Sequence, residues 1–454
     1  MKMLRKFELR HPAVIIFIFS FLLTIIYLRY DLKKFEPNQN VKDKIVTVKE
    51  VRVKNSSVTI YCEDTVINLI FAKKKYKAGD VLKVSGLLTD NRAENKGKKI
   101  HKPNLYTENK YVITSSAISY NLYLKSKGYD YTLKANKIEK IGYKSNPYIY
   151  ILKIRENLNK TIDRIYFKHN GILRALITAD RGFINSEQRG LYQLAGINHL
   201  ISISGFHIIV FSGIFFSLLF FLPVKSRYFT SAALTFFYVA LIGFASPCVR
   251  AYIFYITYIA SIYLNKKYDV YSIGFLLSTV YMILNPYILF DAGFILSLLS
   301  VFSIAMFYSK IYKFFTRKMA NKYIKAVFAL ISMTISAQVL TFVYVAVVFK
   351  GVATYSILTN LIAVPLVSFS YPFLISSIFL YPIPFLSKIL ANIVNAIYDF
   401  FYFSMEKITG LPFSYVEFTP RAYYLISVYT FAILAIYFYS THKIIRRNLV
   451  SLDK

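Results

Sequence analysis

Long apolar runs constrain this chain more than any other feature. Residues 12–28 read PAVIIFIFSFLLTIIYL, and several runs beyond residue 199 exceed the roughly 18 residues that a helix needs to cross a bilayer. Hydrocarbon offers backbone amides no water, so such runs must be helices that satisfy their own hydrogen bonds. The first follows a basic start, MKMLRK, and precedes no small-residue cleavage site, so it is expected to stay as an anchor. Further spans are expected near 199–222, 228–243, 247–264, 269–285, 288–307, 326–349, 355–380, 386–405 and 421–441, making ten. At 56% hydrophobic residues, the chain is too apolar for an ordinary soluble domain.

Charge orients these spans. The chain holds 56 Lys and Arg against 23 Asp and Glu. Basic loops fall at 225–227, 265–267 and 309–325, with HKIIRRN after the last span. Alternating ten spans from a cytoplasmic N-terminus puts all of these inside, as the bias of cytoplasmic loops toward Lys and Arg requires. Both termini are then cytoplasmic, and the segment after the first anchor is extracytoplasmic.

That segment has a different texture. KIVTVKEVRVK, SVTIYCE, TVINLIFAKK, DVLKVSGLL and YTLKANKIEKI alternate in the manner of strands, and SYNLYLKSKG suits a short helix closed by Gly128. Five strands and one helix match an OB-fold-like inventory, although another small barrel fits equally. Residues 31–150 carry 24 Lys and Arg against 12 Asp and Glu. Two loops cluster the charge: Lys73, Lys74, Lys75 and Lys77 in the first, Arg92, Lys96, Lys98 and Lys99 in the second. Cationic loops suit a polyanion, whose binding is driven by counterion release. A solvated basic surface, or one held near anionic headgroups, is the plain alternative. Residues 148–198 then read as amphipathic helices on the membrane face or against the bundle, two of them flanking the Asp180-Arg181-Gly182 turn with Asn185 or Ser186 as a cap. The two cysteines, Cys62 and Cys248, are expected as free thiols.

Within the membrane region, ionisable groups need a partner or a wet cavity. His199, His207, Arg250, Asp291 and Gln338 stand out, and several fall toward the outer side, as a polar vestibule would require. HLISISGFHIIV, from His199 to Val210, is the densest case. On one ideal helix its histidines would sit about 80° apart. No carboxylate or third histidine is near at metal-binding spacing, so neither metal nor cofactor is expected. Ser204, His207 and Asp291 allow a serine nucleophile, though the glycines of G-x-S-x-G are missing. Small residues packing helices together explain Ser202, Ser204 and Gly205 but neither histidine.

AGINHLISISGFHIIV resembles the hallmark segment of the ComEC competence proteins. LRALITADRGFINSEQRGLYQLAG, GFASPCVRAYI, NPYILFDAGFILSLLSV and ISAQVLT…NLIAVPLVS are similar to further family motifs in the same order. KAGDVLKVSGLL and ISYNLYLKSKG are similar to its outer domain. The resemblance implies a channel that passes one strand of transforming DNA across the bacterial inner membrane, without catalysis. It places family motifs on His199, Ser202, Ser204, Gly205 and His207, on Asp180 and Arg181, and on Arg250, Asp291, Gln338, Asn360 and Pro365. Many members have two spans before the outer domain and a C-terminal metallo-β-lactamase-like domain, so this chain is expected to be a short form.

The expected plan is therefore an anchor (1–30), an extracytoplasmic OB-fold-like domain (31–147), amphipathic connecting helices (148–198), a transmembrane channel (199–441) and a basic tail (442–454). The implied partners are single-stranded DNA, membrane lipids, outer DNA-receptor proteins and a separate cytoplasmic DNA-processing or motor protein, since no nucleotide-binding loop occurs. Two rival expectations are an intramembrane serine hydrolase using Ser204 and His207, and a transporter of envelope polymer or lipid beneath a basic cap.

Overall fold

The computed structural model describes residues 12–34, 38–54, 57–70, 76–92, 120–201 and 203–418. The N-terminal MKMLRK, the expected span at 421–441 and the tail lie outside these residues, as do Ser202, Lys73, Lys74, Lys75, Lys96, Lys98 and Lys99.

Helix α1 (Pro12–Asp31) leads into strands β1 (Gln39–Thr47), β2 (Glu50–Lys54), β3 (Ser57–Tyr61), β4 (Thr65–Ile70) and β5 (Asp80–Asp90); helix α2 (Tyr120–Ser126) then precedes β6 (Tyr131–Tyr143). The sheet order is β1-β5-β6-β4-β3-β2, antiparallel except for the parallel β4–β6 pair. KIVTVKEVRVK reads as one strand, but the chain turns a corner within it. The Val48 amide donates to Asp80 O at 2.9 Å and the Lys49 amide to Tyr61 O at 2.8 Å. One continuous stretch therefore serves both ends of the sheet, which accounts for six strands where periodicity predicts five. Strand β5 alternates buried and half-buried positions along its whole length, and Ile60, Ile67, Leu82, Val84 and Leu133 fill the interior around Cys62. Helix α2 closes as its sequence predicts, with Gly128 at φ +86° and the Tyr129 amide reaching back to Leu124 O at 3.1 Å.

Twelve described helices follow: α3 (Pro147–Ile165), α4 (Asn170–Thr178), α5 (Ser186–Leu194), α6 (Asn198–Ile201), α7 (Gly205–Leu218), α8 (Val224–Leu241), α9 (Ser246–Tyr263), α10 (Val270–Leu284), α11 (Ala292–Thr316), α12 (Lys322–Phe349), α13 (Ser356–Phe379) and α14 (Pro384–Thr409). Strands β7 (Gly351–Ala353) and β8 (Tyr415–Glu417) pair across the ends of α12 and α14. Among the described residues, α1, α11, α12 and α13 are long and apolar enough to cross a membrane, while α7 and α10 are apolar but shorter.

Residues 199–222, predicted as one span, are not one helix. Ser204 is extended (φ −129°, ψ 178°) and α7 starts afresh at Gly205, as suits a serine at a helix start. The 80° separation of His199 and His207 therefore has no helix to apply to. The connecting helices pack into the bundle. Ile162, Tyr166, Leu173, Leu176, Leu191 and Tyr192 are at most 4% exposed and share one apolar cluster with α7, α8, α13 and α14. Asn185 caps α5, its side chain accepting the Gln188 amide at 2.7 Å while the Gln188 side chain accepts the Asn185 amide at 3.2 Å.

Polar joints hold the β domain on the helices. Lys127, just after α2, pairs with Asp291 at 2.6 Å. Asn285 donates to Ser126 O at 3.0 Å, Arg92 reaches Asp31 at 3.3 Å, and Arg155 of α3 meets Glu50 of β2 at 3.4 Å.

Candidate functional site

Between these joints lies a cavity of about 3320 Å³. Sites for single small molecules rarely exceed ~1,000 Å³, so this volume suits a polymer or a broad wet path. Strands β3 and β6 and helix α2 form the β-domain wall, and α3 to α6 form one flank. Helices α11, α12 and α13 form the other. On α12 the lining residues recur at helical spacing from Leu330 to Phe349. At 1.5 Å per residue that stripe extends ~28 Å, close to the thickness of a bilayer's hydrocarbon core.

The cavity gathers many of the residues that the sequence singles out. Asp180, Arg181, His199, Ser204, Gly205, Asp291, Gln338 and Asn360 all line it, as do Lys77 and Arg92. His207, Arg250 and Pro365 do not. His199 is exposed to the cavity, whereas His207 is fully buried behind it. His207 Nδ1 accepts the Ser204 amide at 3.1 Å and lies 3.2 Å from Ser204 Oγ. Its ring stands edge-on to Tyr371, with centroids 5.7 Å apart. This histidine ties the first turn of α7 to α13.

Asp291 and Arg250 are not an ion pair. Asp291 caps α11 through the Gly293 amide at 3.0 Å and takes its charge partner, Lys127, from the β domain. Arg250, 3% exposed, donates to Ser246 Oγ at 2.5 Å and to Gly293 O at 2.9 Å. The two groups meet only through the Gly293 peptide. Arg92, expected in a DNA-binding basic loop, is held by Asp90 at 2.6 Å as well as by Asp31. Lys77 stays exposed at the cavity edge.

Gln338 on α12 donates to Ser356 Oγ at the start of α13 at 3.1 Å. Asn360, 6% exposed, has no hydrogen-bond partner for its buried Oδ1 among the described residues. Pro365 lies inside α13 and leaves the carbonyl four residues earlier without its helical amide. Sequence reasoning misses Arg174, which is 8% exposed and held between Asp163 (2.9 Å) and Asp180. The α3–α4 turn brings these groups together, and no local pattern announces it. Among the described residues, no three His, Cys, Asp or Glu side chains converge as a metal site would require.

A mostly helical body with candidate membrane spans and a separate β domain together wall a partly polar cavity, which defines a polytopic membrane protein with a β domain. The chain belongs to the competence protein family, whose model matches residues 176–443. It is similar to ComE operon protein 3 of Bacillus subtilis (strain 168), with 28% identity over 206 residues. That match covers 44% of this chain and 26% of the relative, so the aligned part spans about a quarter of that protein's length. No solved structure matches the chain.

Proposed function

We propose that the protein carries single-stranded DNA through this cavity across the bacterial cytoplasmic membrane, and that it does no chemistry of its own on the strand. The observation that carries the proposal is the large cavity walled jointly by the β domain and by membrane helices, in a member of the competence family. Ten spans with both termini inside would put the β domain on the side from which DNA arrives. An OB-type barrel for that domain is supported by its parallel β4–β6 pair and by the corner at Val48 and Lys49, which joins the sheet's two ends. Outer receptor proteins would deliver the strand, and a separate cytoplasmic protein would pull or process it.

Deleting the gene should abolish entry of labelled transforming DNA into the cytoplasm while its binding at the cell surface persists. Normal entry would refute the proposal, and loss of glycolipid export with normal DNA uptake would favour the polymer transporter. The purified full chain should bind a single-stranded oligonucleotide with log K falling linearly against log salt, by about 0.7 per phosphate contacted.

The hydrolase reading gains a contact, Ser204 Oγ to His207 Nδ1, but lacks the group that would orient the histidine. That nitrogen already takes the Ser204 amide, His207 Nε2 has no partner among the described residues, and Asp291 is occupied by Lys127. A fluorophosphonate probe should leave Ser204 unlabelled.

A further inference from the structure

We infer that tyrosines on the β-domain wall of the cavity form a base-stacking track selective for single-stranded nucleic acid. The inference rests on the proposal that DNA passes here and names the contact that would hold it. The chain has 40 tyrosines and no tryptophan. That number follows from composition and argues nothing; placement does. Tyr61 from the end of β3, Tyr76 before β5, Tyr120 and Tyr123 on α2, and Tyr129 and Tyr131 at the entry to β6 all line one wall. They come from sequence positions up to 70 residues apart, so no local repeat produces the cluster.

Their geometry suits stacking. Tyr120 and Tyr123 lie on successive turns of α2 with centroids 6.2 Å apart and planes 30° from parallel. Their side chains are 56% and 38% exposed. Tyr61 and Tyr129 form a second pair at 5.3 Å and 48°. Lys127 Nζ stands 5.5 Å from the centre of the Tyr123 ring. An amphipathic phenol offers a ring face to a base and a hydroxyl to water or phosphate.

Charge on this wall is largely spent. Among the described residues, Lys125 pairs with Asp130 (2.6 Å), Lys127 with Asp291 and Arg92 with Asp90. A wall that is aromatic and nearly neutralised holds a strand by its bases more than by its phosphates. Bases are accessible to such a wall only when unpaired, because a duplex buries its ring faces in its own stack. Stacking is also tolerant of sequence, since every base has a π-face, and a path for arbitrary DNA requires that tolerance.

The test uses the full chain in nanodiscs and three ligands of equal length: a mixed-sequence single strand, an abasic strand with the same phosphates, and a duplex. The single strand should bind at least about tenfold tighter than the abasic strand, and tighter than the duplex at matched salt. Replacing Tyr120→Leu and Tyr123→Leu together should weaken the mixed strand about tenfold while leaving the abasic strand and the salt slope unchanged. Tyr120→Phe with Tyr123→Phe should retain binding, which separates lost stacking from a damaged fold. Equal affinity for mixed and abasic strands would overturn the track and leave the DNA-carrying proposal standing. Binding of neither strand would overturn both.

Discussion

Arg174 shows what residue-scale pairing contributes. Its guanidinium joins Asp163 at the end of α3 to Asp180 in the turn after α4, and its face covers the Phe183 ring at 3.7 Å. Arg174→Ala would strand two carboxylates beside an apolar core and should cost ~2–4 kcal/mol, with Arg174→Lys recovering only part because it cannot bridge both. Thermal unfolding of the detergent-solubilised protein, followed by size-exclusion chromatography, checks this. Asp180 was legible through family resemblance, but its partner was not, because the pairing depends on how α3 and α4 fold back on each other. The histidines divide similarly. Sequence marked His199 and His207 together, and only the break at Ser204 separates a cavity-facing group from a packing group. Cys62 is fully buried in the β domain, and burial, followed by the nearby Asp64 charge, pushes its thiol up to about 12. Cys248 is equally buried. Maleimide at pH 8 should therefore label neither cysteine until denaturant is added.

At the scale of elements, the legible features were those with local causes. Alternation located the β strands, Asn185 or Ser186 marked the start of α5, and Gly128 marked the end of α2. The corner at Val48–Lys49 and the interruption before α7 escaped because periodicity reports which face a residue takes and is silent about backbone direction. Gly205 opens α7 with little room beside α9: an added Cβ would lie 3.3 Å from the Ala251 Cβ. Gly205→Ala should therefore be tolerated with a small shift. Gly205→Leu should separate the two helices and abolish DNA uptake, with the protein reaching the membrane at a reduced level. Transformation frequency alongside immunoblots of membrane fractions distinguishes the two variants. A Leu variant with full activity would show that this close approach is dispensable.

Across the whole molecule, the basic cap and the polar vestibule were foreseeable as separate features, but not that Lys127 of one meets Asp291 of the other. That joint gives a clean reciprocal test. Lys127→Asp or Asp291→Lys alone should lower the melting temperature and expose the β domain to limited proteolysis, and the double exchange should restore part of both, the lost α11 cap accounting for the rest. Additive damage in the double variant would mean that the pair is incidental. The shortness of α7 and α10 has a consequence for how the molecule is made. An apolar stretch of 14 or 15 residues is a poor stop signal for the insertion machinery, which favours stretches near 20. Helices α11, α12 and α13 meet that length unaided, yet they emerge from the ribosome after both short ones. These two helices, which meet the cavity at the start of α7 and the end of α10, must therefore wait, loosely held, for later neighbours to retain them. Nascent chains truncated before α11 should stay membrane-bound through α1 yet leave α7 and α10 open to added protease, whereas those that include α13 should protect both.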